Sequence, residues 1–177
     1  MAQASFEATS QVFRLDGREV TYAFVVNKQG ELENVYWGGR LALDDPLTTP
    51  KEVSRLFELD DTPQEFAGWG GGLLNEPALK VTFKDGNRDL ILHYKSHSLR
   101  KDGVDVSLED IARPVNVTLH YTMDAGTGIL ARSAPIENGI QDAILLEQAA
   151  GAQWNLPASN LRVSPGPLPQ RENCHSS

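Results

Sequence analysis

Cysteine is nearly absent: Cys174 stands alone among 177 residues. No disulfide can close within the chain, and Cys-x-x-Cys metal sites are excluded. Long apolar runs are missing as well, and no stretch approaches the roughly 18 consecutive apolar residues of a membrane-spanning helix. The start, Met1-Ala-Gln-Ala-Ser-Phe-Glu-Ala, has no basic segment leading into an apolar run, so no secretory signal is read and a cytosolic location is the default expectation. Basic clusters are lacking too. Against 24 Asp and Glu there are 16 Lys and Arg, for a net charge of -8, which leaves no electrostatic footprint for nucleic acid or an anionic membrane. Neutral or cationic partners are expected instead.

What is present is the composition of a folded domain, with 40% hydrophobic and 23% charged residues. The length suits one compact unit and falls short of the roughly 250 residues of a (β/α)8 barrel. Short β-branched and aromatic runs, at 12–15, 20–26 and 32–37, are separated by Asp16-Gly17 and by Asn27-Lys28-Gln29-Gly30. That spacing predicts a three-strand meander whose turns use positive φ. Residues 78–83 and 90–94, joined by Lys84-Asp85-Gly86-Asn87, predict a hairpin with one buried and one wet face. Further strands are expected at 104–111, 115–123, 129–137 and 143–150. Asp124-Ala125-Gly126-Thr127-Gly128 and Glu137-Asn138-Gly139 supply the clearest punctuation. Helical periodicity is almost missing, so the expected fold class is all-β, an antiparallel sandwich.

Three segments read differently. Residues 1–10 are expected to be a flexible lead-in. Residues 38–68, with prolines at 46, 50 and 63 and the pairs Asp44-Asp45 and Asp60-Asp61, predict a long surface loop with one helical turn near 50–57. Residues 161–177, opening on a proline-rich stretch, predict an unstructured tail. The sandwich itself is placed at 11–160.

Candidate chemistry is sparse. His93 and His97 could pair on a metal only if helical; on a strand they stand about 13 Å apart, too far for one tetrahedral ion. His120 lies further on, and no metal or cofactor is expected. Gly68-Trp69-Gly70-Gly71-Gly72 lacks the Lys-Ser/Thr of a phosphate-binding loop and reads as a close-approach loop carrying a tryptophan able to stack on a sugar. Trp69 is therefore the one candidate substrate-binding residue, while Trp37 and Trp154 are expected in the core more often than on a sugar. Asp44-Asp45 and Asp60-Asp61 lack the rigid support a glycosidase carboxylate pair needs, so no catalytic residue is assigned. Asn116-Val117-Thr118 matches a glycosylation sequon, but its strand setting makes it a weak site.

Several blocks, in order along the chain, resemble one known family. They are Phe13-Arg14-Leu15-Asp16-Gly17-Arg18 with Thr21-Tyr22, and Gly30-Glu31-Leu32-Glu33-Asn34-Val35-Tyr36-Trp37-Gly38. Next come Glu65-Phe66-Ala67-Gly68-Trp69-Gly70 leading into 75–83, and Asp85-Gly86-Asn87-Arg88-Asp89-Leu90. Last are Gly128-Ile129-Leu130-Ala131-Arg132-Ser133 and the stretch from Glu147-Gln148-Ala149-Ala150 to Trp154-Asn155-Leu156-Pro157. Over residues 11–160 the chain resembles the amino-terminal domain of family 36 α-galactosidases, most of all the fungal branch. The resemblance implies a β-supersandwich preceding a (β/α)8 barrel. In that family the barrel supplies an aspartate nucleophile and an aspartate acid/base for retaining hydrolysis of terminal α-galactosides. The barrel's Lys-Trp-Asp and Ser-Cys motifs are absent here.

The resulting expectation is a non-catalytic amino-terminal domain with a structural or assembly role, inactive alone. Its partners would be a catalytic barrel, another copy of the chain or a galactoside. The likeness fades after Asn160, for which a frame change, a retained intron or an early stop is the expected cause. A stand-alone carbohydrate-binding module is the alternative, and a hydrolase working through loop aspartates the remote one.

Overall fold

The computed structural model describes residues 3–45, 47, 63–70 and 76–154. Among them every named element is a strand. One antiparallel sheet runs in the order β1 (Gln3–Glu7), β2 (Val12–Asp16), β3 (Val20–Val26), β4 (Leu32–Gly39). A two-stranded sheet pairs β5 (Leu79–Thr82) with β11 (Leu145–Ala149). The third sheet runs β6 (Leu92–Leu99), β7 (Gly103–Asp110), β8 (Val115–Met123), and its far edge is shared. There β9 (Leu130–Ser133) pairs with residues 120–123 of β8 and β10 (Ile136–Asn138) with residues 115–117.

The core lies between the first and third sheets. Residues two apart on a strand share a face, and β8 alternates strictly between buried and half-buried along its nine residues. Val115, Val117, Leu119, Tyr121 and Met123 of β8 meet Phe13, Leu15, Tyr22 and Phe24 of β2 and β3. Phe24 stacks on Tyr121 with ring centroids 4.7 Å apart. Burying such rings fully is worth about 1.5–3 kcal/mol each, which makes this aromatic seam a principal bond between the sheets.

The all-β sandwich expected from the strand spacing is what forms. β3 and β8 match their expected ranges. Positive φ falls on Gly30, Gly86 and Gly128, each inside a turn legible in the sequence. Elsewhere the structure differs. Residues 3–7, expected to be flexible, form β1 and pair with β2, and Phe6 packs on Phe13 at 4.5 Å. The Asp16-Gly17 turn closes through Gly17 N donating to Val20 O, without positive φ at Gly17.

Residues 78–83 and 90–94 do not form a hairpin. After the Gly86 turn the chain crosses to the other sheet, so β5 pairs with β11 and β6 with β7. Nor does Asn138-Gly139 make a two-residue hairpin. Gly139 N donates to Pro114 O, Asn138 Oδ1 accepts from Ile140 N, and the chain leaves for β11. The strand expected at 129–137 breaks in two between β9 and β10, where Pro135 interrupts the ladder. At Gly86 the turn was read correctly and only the partner strand was not; at Asn138-Gly139 and Pro135 the local reading itself gave way.

The outer face of the first sheet is covered as well, so all five residues of β2 are buried. Arg14, on that face, directs Nε at Asp16 (2.9 Å) and its two terminal nitrogens at the Ala42 and Leu41 carbonyls (2.9 and 2.6 Å). Thr21 Oγ1 donates to Asp16 and accepts from Leu41 N. These buried polar groups clamp the start of the long excursion over Val12, Ala23 and Val25, against which Leu47 packs. The helical turn expected at 50–57, Asp60-Asp61 and the tail at 161–177 lie outside the described residues.

Gly68 is the tightest backbone crossing near the candidate loop, since a Cβ there would sit 2.3 Å from the Leu90 carbonyl oxygen. Gly68→Ala is expected to lower unfolding stability by about 1–3 kcal/mol in urea melts, because backbone must move to admit the methyl group. Gly39→Ala, where nothing lies within 4 Å of the added atom, should change stability by no more than about 0.5 kcal/mol.

Candidate functional site

The most elaborate constellation in the described residues is a buried polar network beneath two tryptophans. Glu65 arrives from the end of the excursion with its side chain 1% exposed, and Arg132 of β9 meets it equally buried. Arg132 Nη1 lies 3.1 Å from Glu65 Oε2, and Nη2 donates to the Glu65 backbone carbonyl. Tyr22 OH donates to Oε1 at 2.6 Å and Tyr121 OH to Oε2 at 2.9 Å. Asn34 Nδ2 adds a third hydrogen bond at 3.1 Å, from the strand that bulges beside it. An ionised carboxylate out of water must be satisfied this fully to be tolerated.

The network reaches the chain's last described segment. Arg132 Nη1 also donates to Gln153 O, and Gln153 Oε1 accepts from Ala67 N. The Arg132 guanidinium lies 4.8 Å from the Tyr121 ring centroid and 5.5 Å from that of Trp154, close enough for cation–π attraction. Burial raises the Tyr22 and Tyr121 hydroxyls well above their usual value near 10, and the Glu65 charge adds to it. For Arg132, burial pulls downward, but Tyr121 and Glu65 outweigh it, so the group is held up and stays a cation.

Chemically this arrangement binds segments together and offers no free acid or base. Every Glu65 oxygen is occupied, and the side chain is sealed from solvent. Asp45 Oδ2 accepts from Ala42 N in an exposed turn, beside the exposed Asp44. His93, His97 and His120 go to different places. A bulge between Tyr94 and Ser96 turns His97 onto Phe6 and Phe13, with a hydrogen bond to Tyr94 OH. His93 packs beside Gly30, and His120 Nδ1 pairs with Asp105 at 2.6 Å. Among the described residues no group of three or more His, Cys, Asp or Glu side chains is arranged to hold a metal.

Trp69 is 44% exposed, and the Lys80 ammonium sits 4.7 Å over its ring. Its backbone bridges β5 and the segment leading into β6, with Trp69 N donating to Leu79 O and Leu90 N donating to Trp69 O. Trp37 and Trp154, expected in the core, instead stack on each other at 4.9 Å, 43% and 36% exposed. β4 is buried at its start, at Leu32 and Glu33, and opens towards Trp37.

With that geometry in place, the family can be tested. The family described as the glycosyl hydrolase family 36 N-terminal domain matches residues 30–165. The chain belongs to this family. It is similar to the α-galactosidase Mel36A of Lactobacillus acidophilus, 25% identical over 89% of this chain and 26% of that protein. It is also similar to the α-galactosidase AgaA of Geobacillus stearothermophilus, 23% identical over 88% and 26%. The crystal structure of an α-galactosidase from Lactobacillus brevis superposes with a TM-score of 0.74 at 21% identity, covering 86% of this chain and 25% of that one. The chain thus spans about a quarter of the relatives it matches. These relatives are bacterial, so they carry the family and not the fungal branch expected from the sequence.

Glu65, Arg132, Tyr121, Tyr22 and Asn34 were not singled out from the sequence. A signal existed: all but Tyr121 lie in the segments that carry the family 36 likeness. Tyr22 and Tyr121 also sit at core parity on their strands, where a hydroxyl demands a partner.

Two outcomes follow. Glu65→Gln keeps the shape but strands Arg132 as a buried cation, and should cost about 3–5 kcal/mol in urea unfolding. The double change Glu65→Leu with Arg132→Met should cost less than either single change, since neither leaves a lone buried charge. The raised tyrosines also fix a pH dependence. Both protonate more readily folded than unfolded, so their contribution is complete below about pH 10 and is lost as pH climbs above it, by about 1.4 kcal/mol per pH unit for each tyrosine. Urea melts between about pH 9 and about pH 11 should show this fall, and Tyr22→Phe should reduce its slope.

Proposed function

We propose that this family 36 domain is the non-catalytic amino-terminal part of an α-galactosidase, serving structure and assembly, and that it hydrolyses nothing by itself. The family match over residues 30–165 carries the reading. The site chemistry supports it. Retaining glycoside hydrolysis needs two carboxyl groups about 5–5.5 Å apart on rigid supports. Here Glu65 is consumed by Tyr22, Asn34, Tyr121 and Arg132, and the other deeply buried carboxylate, Asp16, by Arg14 and Thr21. The partner is a catalytic barrel, with self-association of the chain as the other assembly mode.

A carbohydrate-binding module is the second reading, favoured only by the exposed ring of Trp69. The Lys80 ammonium above that ring competes with a sugar for its face.

A chromogenic α-galactoside separates these. The chain alone should show no turnover. A fusion in which it replaces the matching quarter of Mel36A should restore hydrolysis. Turnover by the isolated chain would overturn the proposal. Calorimetric titration with galactose or raffinose should show no binding at millimolar sugar; binding weakened by Trp69→Ala would establish the second reading instead.

A further inference from the structure

Trp37 stands at an inward-facing position that the sandwich leaves open. It is the register partner of Tyr22, so both side chains lie on the same face of the first sheet. Tyr22 is buried under the opposing sheet, yet Trp37 is 43% exposed. Among the described residues the Trp154 ring packs beside it, 4.9 Å away. Beneath the pair, the Tyr22 ring meets Trp37 edge-on at 5.8 Å and Trp154 at 5.9 Å. Tyr22 is itself fixed to Glu65, and Arg132 holds Gln153, the residue before Trp154. The two indoles therefore rest on an immobile floor with their outer surfaces in water.

A half-exposed aromatic pair over a buried network in which, among the described residues, Arg132 Nε alone lacks a hydrogen-bond partner has the make-up of an interface hot spot. A sugar does not fit it as well. A sugar packs on an open flat face beside free hydrogen-bonding groups. Here the rings are tilted by 39° against each other, and the Glu65 and Arg132 groups that could hydrogen-bond a hydroxyl are sealed below. β4, which carries Trp37, is the last strand of its sheet, with the Glu33–Gln64 bridge across its start, so pairing with a second copy is kept as an outcome of the test below. What accompanies this sandwich in its structural relatives is more chain. The fold recurs at TM-scores of 0.71–0.74 while covering only 24–25% of those chains.

We infer that the Trp37–Trp154 face is a docking surface, and that its occupant is an apolar face of the remaining polypeptide of an α-galactosidase. The inference rests on the functional reading above and adds to it where the contact is made. Trp37 and Trp154 are the anchors; Tyr22, Glu65 and Arg132 position them.

Thiol labelling tests it. In a Cys174→Ser background, Trp37→Cys and, separately, Trp154→Cys are labelled in the isolated chain and in the Mel36A fusion, each rate taken against the urea-unfolded chain. Labelling is expected to be at least ten-fold slower in the fusion. Equal rates in a fusion that hydrolyses α-galactoside overturn the docking surface and leave the functional reading standing. A folded fusion with slowed labelling but no hydrolysis supports the surface and counts against the functional reading. Slowing in the isolated chain on adding millimolar raffinose assigns the face to a sugar, and slowing with rising chain concentration assigns it to a second copy; either overturns the inference. If the fusion does not fold, a thiol placed in Mel36A at the residue aligned with Trp37 gives the answer, and reactivity there equal to that in the isolated chain overturns it.

Discussion

Glu65 and Arg132 are 67 residues apart in the chain and meet where water is excluded. Neither charge could remain there alone, because desolvating an ion costs several kcal/mol that only close, complete pairing offsets. The carboxylate is satisfied only when β3, β4, β8 and β9 have brought Tyr22, Asn34, Tyr121 and Arg132 around it. Replacing such a pair by well-packed apolar groups is often neutral for stability. What the pair imposes is registry: one arrangement of two sheets, the end of the excursion and the segment after β11 brings four partners onto the Glu65 carboxylate, and slipped arrangements leave buried charge.

Arg14 plays the matching part at the other end of the excursion. With Asp16 and Thr21 it holds the Leu41 and Ala42 carbonyls and the Leu41 amide over the outer face of the first sheet. The excursion therefore leaves and re-enters the sandwich through two buried polar clamps on opposite faces of one sheet. A domain built only to fold would have little use for both. A scaffold that must present surfaces in fixed relation to further chain would, and membership of family 36 is consistent with that role. The two clamps also explain why a strand meander that alternates in the ordinary way is buried on both faces.

The local devices were legible. Gly30, Gly86 and Gly128 stand where tight turns need positive φ, and the alternation of β8 reports its one-sided burial residue by residue. These depend on neighbours within a few positions. The hairpin expected from 78–83 and 90–94 failed because strand pairing is decided by which sheet accepts the apolar face, and the Gly86 turn served a crossover equally well. β1 was missed because its partner, β2, supplies the burial that its own alternation only hints at. The Glu65 network was invisible as a unit, since no spacing rule links positions 22, 34, 65, 121 and 132.

By itself the sequence determined the fold class, most strand positions, the main turns and the family, because these are written in short-range pattern or in blocks of collinear likeness. Only the tertiary structure decided that Glu65 is an acceptor at full occupancy rather than a loop acid. It also decided that Trp37 and Trp154 stay part-exposed while Tyr22, one strand over at the same register and on the same face as Trp37, is sealed. The physical reason is the same in each case. Burial of a side chain depends on where the opposing sheet ends, and that boundary is set by contacts between residues far apart in the chain.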